Sequence, residues 1–321
     1  MDIDYLLLLQ NFREATNNVL TPFLWQLSEF IIGIGPIFIV AMFYWVFSKR
    51  TGGWIMLNLA GVYWLNGMIK LTACVYRPWV RDTRIIPAGD AITTATGYSF
   101  PSGHTMFATA YYGSGAVCCW KNKKTRVVSV LCIILLALTM FARNYLGVHT
   151  PQDVLVGCVA SLVLMAAIVP LFRRMQAGNA KQDNIILLAG LLLVAVSALY
   201  ITLKPYPMDY VNGVLLVDPE KMKPDSIGGI GALLGVVVGW YLEKRYVHFE
   251  NPVDKRKGFL VSLLCFVPVV LWLLIFSKFA PHIIGEDAAK GLRLSVAYVY
   301  ILAGAPLVLK KFAPAAPSEK A

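Results

Sequence analysis

Long apolar stretches alternate with short charged ones along the whole chain. Nine of the apolar stretches, at residues 25–48, 53–75, 103–120, 126–143, 153–172, 184–203, 227–243, 259–277 and 293–310, are long enough, or nearly so, to cross a hydrocarbon core of about 30 Å as helices. The pattern predicts an all-α fold: a polytopic membrane helical bundle of about nine transmembrane helices. The stretch at 103–120 is the least apolar and begins in a Pro-Ser-Gly loop. Glycines and other small residues within the stretches, such as Gly228-Gly229, fit close helix packing. Ahead of the first span, residues 3–17 read as an amphipathic interfacial helix. The acidic opening Met1-Asp2-Ile3-Asp4 is unlike that of a cleaved signal peptide. Two connecting loops are long, 76–102 and 204–226, and the Ala- and Pro-rich tail from Pro314 is expected to be disordered. The resulting organisation is an N-terminal interfacial segment (1–24), a membrane core (25–175), additional transmembrane helices (176–312) and a tail (313–321).

Composition strengthens this picture. Of 321 residues, 58% are hydrophobic and only 15% are charged, too few to solvate a soluble protein of this size. The net charge of +11 does not point to nucleic acid, because the basic residues collect in loops rather than in a binding motif. Loops holding Lys49 and Arg50, Lys121 to Arg126, Arg173 to Lys181, Lys244 to Lys257 and Lys310 to Lys320 all fall on one side of the membrane. That side is therefore read as cytoplasmic, with the N-terminus outside and the C-terminus inside. The six cysteines lie in or beside apolar runs without zinc-ligand spacing and read as free thiols.

The chemistry-bearing residues fall at span ends on the opposite, outer side. Lys70 closes the second span, and Arg77-Pro78 follows it. Pro101-Ser102-Gly103-His104 opens the third, Arg143 closes the fourth, and His149 and Asp153 lead into the fifth. Lys70, Arg77 and Arg143 supply three positive charges, and the arginine fork suits phosphate oxygens. Ser102-Gly103-His104 starts a helix, whose N–H groups favour an anion, and Gly103 leaves room for a phosphate to approach the backbone. His104 and His149 can divide the work of acid and nucleophile. Asp153, four residues after His149, can hold its ring if both lie in one helical turn. Taken singly, each of these residues has an ordinary reading as an interfacial or loop charge. Taken together, in order and on one face, they describe a metal-independent phosphoryl-transfer site.

These three blocks resemble the type 2 phosphatidic acid phosphatase family, which also includes glucose-6-phosphatase, sphingosine-1-phosphate phosphatases and vanadium haloperoxidases. The family pattern K-x-x-x-x-x-x-R-P is met from Lys70 to Pro78, and P-S-G-H from Pro101 to His104. In S-R-x-x-x-x-x-H-x-x-x-D the sequence has Arg143, His149 and Asp153, but Ala142 stands where the family usually has Ser. That departure implies the loss of one hydroxyl near Arg143. The resemblance implies that His149 attacks phosphorus to form a phosphohistidine, that Asp153 holds its ring, and that His104 protonates the leaving alkoxide and then activates water. Lys70, Arg77, Ser102, Gly103 and Arg143 would bind the phosphate, with no metal and no cofactor. The nine-span layout is similar to that of glucose-6-phosphatase, and its size to that of sphingosine-1-phosphate phosphatases, without choosing between them.

The sequence thus predicts an integral membrane hydrolase of a lipid phosphate or lipid diphosphate, sited on the extracytoplasmic face of the plasma (inner) membrane. Its partners would be the lipid substrate and the bilayer, with the oligomeric state open and a homodimer among the options. A lipid phosphotransferase using the same phosphohistidine, or a phospholipid transporter or scaffold on the same fold, are the competing readings. Tyr76, Trp79, Tyr98 and Phe100 read first as an interfacial aromatic belt and second as a wall for a lipid chain, while Arg81, Asp82 and Arg84 are candidates for the head-group pocket.

Overall fold

The computed structural model describes residues 2–95, 97–211 and 213–316. The expected disordered tail lies, from residue 317 on, outside the described residues.

Helices dominate. In chain order they are α1 (Asp2–Ala15), α2 (Thr21–Phe30), α3 (Ile34–Met42, continued by a π turn Phe43–Phe47), α4 (Lys49–Ala73), α5 (Pro78–Arg81), α6 (Ala91–Thr94), α7 (Gly103–Ala108) and, through a π turn at Thr109–Gly113, α8 (Ser114–Trp120). Then come α9 (Arg126–Tyr145), α10 (Pro151–Ala177), α11 (Ala180–Leu203), α12 (Lys223–Leu242), α13 (Lys255–Phe279), α14 (Pro281–Ile284), α15 (Glu286–Val299) and α16 (Ala305–Phe312). One two-residue hairpin, β1 (Tyr210–Val211) with β2 (Val214–Leu215), and a 3₁₀ turn Pro219–Met222 interrupt the segment between α11 and α12. The fold is an all-α membrane helical bundle.

Among the described residues, six helical segments are long and apolar enough to cross a membrane, and a seventh if the bent pair α2 and α3 counts as one span. The count of nine is therefore not reached on length and apolarity. Both remaining stretches, 53–75 and 103–120, are helical, but they carry the polar residues of the site. Lys49, Arg50, Asn58, Asn66 and Lys70 dilute α4, and threonines, serines and glycines dilute α7 and α8.

The chain forms two compact units, each assembled from three stretches: Met1–Pro36, Leu65–Ala167 and Tyr200–Ser226 in one, Ile37–Trp64, Ile168–Leu199 and Ile227–Ala321 in the other. The first unit contains every predicted site residue. In it, α9 is the central helix, packed by α1, α2, α7 and α8. One buried cluster joins Leu24, Ala88, Ala91, Ala95, Ala142, Tyr145, Leu146 and Val148, and a second joins Ile31, Ala108 and Tyr112. The predicted interfacial helix α1 is amphipathic, but its inner face lies against protein. Leu6 and Leu9 are buried, and Arg13 donates to the carbonyls of Tyr145 at 3.0 Å and Ile86 at 2.7 Å. The segment from 200 to 226 also belongs to this unit. There Met222 Sδ accepts from the backbone N–H of Tyr98 at 3.0 Å, and the hydroxyl of Tyr76 is hydrogen-bonded to Asp209.

In the second unit α13 packs on α15, α16 and the π turn Phe43–Phe47. Trp45 is fully buried and donates its indole N–H to the carbonyl of Ile301 at 2.8 Å. Gly231 of α12 meets α15 at backbone distance: a Cβ there would stand 2.2 Å from the carbonyl oxygen of Gly291, so only glycine allows the approach. Two ion pairs, Lys49 with Glu243 at 2.6 Å and Lys244 with Asp183 at 2.7 Å, close its polar end.

Candidate active site

The site is built where α2, α4 and α9 end and where α5, α7 and α10 begin. The turn between α9 and α10 supplies His149. Gly147 takes φ of +72° there, in the left-handed region that glycine adopts at least cost, and Asn144 holds the carbonyl of His149 at 2.9 Å. Helix α10 begins only at Pro151, so His149 lies outside its first turn, and the shared helical turn expected of His149 and Asp153 is not formed. The two still meet, because Asp153 folds back over the helix start: its Oδ2 accepts from the Thr150 N–H at 2.8 Å and stands 3.5 Å from His149 Nδ1. Ser99 donates to the same Oδ2 at 2.5 Å and lies 3.4 Å from Nδ1.

Arg77 completes the other side of the ring. It stands at the start of α5 with 3% of its surface exposed, and it donates to Gly97 O at 3.1 Å and Val148 O at 3.0 Å. Its Nη1 also lies 3.0 Å from His149 Nε2. A guanidinium can only donate, so Nε2 is the acceptor and the ring proton is on Nδ1, facing Asp153. The nitrogen with the free lone pair thus points at a buried cation. Burial first, and then the charge of Arg77, hold His149 well below the usual imidazole range, so the ring is neutral at neutral pH. Burial and the like charge of Arg143 pull Arg77 down to about 9, a penalty that an anion lying between the two guanidiniums would relieve.

Arg143 is fully buried near the end of α9. Its Nη1 donates to Ser28 Oγ at 3.1 Å and lies 3.6 Å from Glu29 Oε1, while Nε and Nη2 make no hydrogen bond among the described residues. Two buried, unused donors on a planar fork suit the oxygens of a phosphate. His104, in the first turn of α7, has its Nε2 3.2 Å from Glu29 Oε1. Lys70, partly buried near the end of α4, is within electrostatic reach of Arg77, Arg143, Asp153 and Asp225.

The remaining predicted residues hold the frame. The Ser102 hydroxyl caps α7, accepting from Thr105 N at 3.4 Å and Thr105 Oγ1 at 3.1 Å, and its backbone N–H donates to Asp153 O at 2.9 Å. Gly103 opens space toward a side chain: a Cβ there would come within 3.2 Å of Asn66 Oδ1. The Asn66 amide in turn donates to Pro101 O at 3.2 Å. Ala142 does not face the site. It is fully buried in the apolar cluster with Leu24, Ala91 and Tyr145, and the hydroxyl at Arg143 comes from Ser28.

All the predicted site residues fall in a stretch, 51–177, that matches the PAP2 superfamily. Phosphatidylglycerophosphatase B of Escherichia coli (strain K12) is 35% identical over 71 residues, which is 22% of this chain and 28% of that protein. Phosphatidylglycerophosphatase B of Bacillus subtilis (strain 168) is 29% identical over 142 residues, 43% of this chain and 65% of that protein. The chain thus spans less than two thirds of the length of these curated relatives. No solved structure shows significant similarity to it.

The matched stretch takes partners from outside its own bounds. Ser28 and Glu29 come from α2, and neither was singled out in the sequence. Ser99 and Asn66 lie within that stretch but outside the three blocks. A legible signal existed for Glu29, an acidic residue inside an apolar span, where a charge is costly. None marked Ser28, Ser99 or Asn66. Of the aromatics, Tyr98 is fully buried beneath the site, which removes it from an interfacial belt, and Trp79 lies 5.7 Å under the guanidinium of Arg77. The head-group candidates are engaged elsewhere: Arg81 pairs with Asp2 at 2.9 Å and Arg84 with Asp82 at 2.7 Å.

Proposed function

We propose that the protein is an integral membrane phosphatase that hydrolyses a lipid phosphate through a phosphohistidine intermediate, without a metal. The observation that carries this reading is the His149 ring, with Nδ1 backed by Asp153 and Nε2 turned toward Arg77. Nε2 attacks phosphorus in line with the leaving alkoxide. Arg77, Arg143 and Lys70 hold the equatorial oxygens and the charge that builds on them. As His149 becomes positive, Asp153 stabilises it, and Ser99 and Thr150 keep that carboxylate ionised and aimed. His104 gives a proton to the departing oxygen. It then takes one from the water that cleaves the phosphorus–nitrogen bond, returning both histidines to their starting states.

The substrate class follows from position. Cationic groups at the ends of membrane helices meet phosphate at head-group depth, which favours an amphiphile over a soluble sugar phosphate. Similarity to phosphatidylglycerophosphatase B supports a phosphomonoester, with phosphatidylglycerophosphate as the first candidate. The excess of basic residues on the opposite loops supports a site on the extracytoplasmic face, with the plasma (inner) membrane as the proposed location. A single cysteine introduced in the 121–126 loop should resist an impermeant thiol reagent in intact cells; labelling there would reverse the orientation.

The chemistry is tested by phosphate release from phosphatidylglycerophosphate, phosphatidic acid, undecaprenyl diphosphate and glucose-6-phosphate, with excess EDTA and beside His149→Ala. Release from a lipid substrate that survives EDTA and vanishes in the variant is expected. Release that stops with EDTA, or continues in His149→Ala, would overturn the mechanism.

A further inference from the structure

We propose that Glu29 is a positioning residue of this same site, holding His104 in the orientation and tautomer needed to protonate the leaving oxygen. The inference rests on the hydrolase reading above. Glu29 sits in the last turn of α2, just before the break that separates α2 from α3, and outside the stretch at 51–177 that matches the PAP2 superfamily. One oxygen, Oε1, gathers three partners: His104 Nε2 at 3.2 Å, Thr94 Oγ1 at 2.9 Å and Arg143 Nη1 at 3.6 Å. The carboxylate is anchored by Thr94 and faces both His104 and Arg143.

Charge and geometry give it a task. A carboxylate accepts only, so a proton sits on His104 Nε2 toward Glu29, and the exchangeable proton is carried on Nδ1. Burial first, then the charge of Arg143 on α9 and, less, that of Lys70 on α4 oppose protonation of the same ring. Glu29 supplies the opposite charge that offsets them. When the phosphorus–oxygen bond to the alcohol breaks, the Nδ1 proton passes to the alkoxide and neutral His104 remains, still held through Nε2. Water attacking the phosphohistidine then returns a proton to Nδ1 and releases phosphate. Glu29 exchanges no proton with the substrate. An acidic residue retained in an apolar span carries a desolvation cost, which this role accounts for.

The test separates acid catalysis from folding and from phosphate binding. Glu29→Gln is nearly isosteric. Wild type and variant would be compared on a short-chain phosphatidic acid, whose alkoxide needs a proton to leave, and on p-nitrophenyl phosphate, whose phenolate does not. The expected result is a kcat/KM loss, which reports the step that expels the alcohol, of about 100-fold on the alkyl ester and little change in kcat/KM on the aryl ester. The Ki of inorganic phosphate should stay level or fall, since a negative charge beside Arg143 is gone. Equal losses on both esters, a Ki that rises in step with them, or unaltered alkyl-ester turnover would each overturn the role. Failure of wild-type protein to release phosphate from either ester would instead remove the hydrolase reading, and this inference with it.

Discussion

Arg77 Nη1 stands 3.0 Å from His149 Nε2, so the nitrogen that should attack phosphorus is held by the cation that should bind the phosphate. An arriving anion offers Arg77 a stronger acceptor than a neutral imidazole, and the exchange frees the lone pair at the moment the substrate is seated. Arg77→Ala removes this device and leaves the buried carbonyls of Gly97 and Val148 without their donor. The expected loss in kcat/KM is about 10³-fold, near the upper range for a lost charge-stabilising donor. Arg77→Lys, which keeps the charge without the fork, should lose less. Steady-state kinetics on the two purified variants checks both; equal losses would show that the planar fork, and not the charge by itself, is what matters.

Ser99 should matter more than its place outside the three blocks implies. Its hydroxyl donates to Asp153 Oδ2 at 2.5 Å, on the carboxylate oxygen nearest His149. In Ser99→Ala the carboxylate loses a charge-assisted hydrogen bond of ~1.5–3 kcal/mol. The expected outcome is a kcat reduced by roughly 10-fold or more, with KM little changed, because the residue orients the nucleophile and does not touch phosphate. A rise in KM with kcat preserved would contradict this.

The protonation of His149 should be displaced toward acid. Its folded-state pKa lies below the 6.5 of a free imidazole, through burial and then the charge of Arg77. The unfolded chain takes up a proton near pH 6.5 that the native site refuses. This contribution to stability is therefore whole above 6.5 and declines as pH falls below it. Ring ¹⁵N shifts of labelled protein, with His149→Ala assigning the signal, should show a neutral ring through 6.5. Wild type should also lose more thermal stability than the variant between about pH 7.5 and about pH 5.5. A ring that titrates at the ordinary imidazole value would defeat both expectations.

Restoring the family serine at 142 should not help. Ala142 is fully buried among apolar side chains, and the Arg143 hydroxyl partner is Ser28, 3.1 Å away. Ala142→Ser puts a hydroxyl into an apolar cluster at a cost of about 1 kcal/mol, with kcat/KM unchanged. Ser28→Ala, by contrast, should lower kcat/KM roughly 10-fold, by removing a hydrogen bond to a charged group. Thermal melting and kinetics of the two variants separate these effects. A gain in activity in Ala142→Ser would show that the missing hydroxyl had been functional.

Most of the site's cast was readable because chemistry at a span end leaves few residues to choose among. Lys70, Arg77, His104, Arg143, His149 and Asp153 are polar groups interrupting apolar helices, and their spacing in three blocks is what the resemblance rests on. The supporting residues were harder to read. Ser28, Ser99 and Asn66 are small neutral polar residues, common everywhere in a chain, and nothing local distinguishes one that meets a catalytic group from one that does not. Gly103 was read as room for a phosphate, and the structure adds that the Asn66 amide lies beside it. The helix count suffered for a related cause: the segments richest in site residues are the least apolar, so they fall short as spans by composition while still folding as helices.

The sequence by itself determined the helical membrane fold, the face-sharing of the three blocks and the identity of the charged and titratable groups, because hydrophobic length and residue chemistry are local properties. Only the tertiary structure decided which partner each group meets. It brought Glu29 and Ser28 from α2 to His104 and Arg143, Ser99 to Asp153, and Arg77 to His149. It also turned Ala142 away from the site. Those pairings join residues separated by up to 115 positions, and they arise from how α2, α7 and α9 pack rather than from any pattern along the chain.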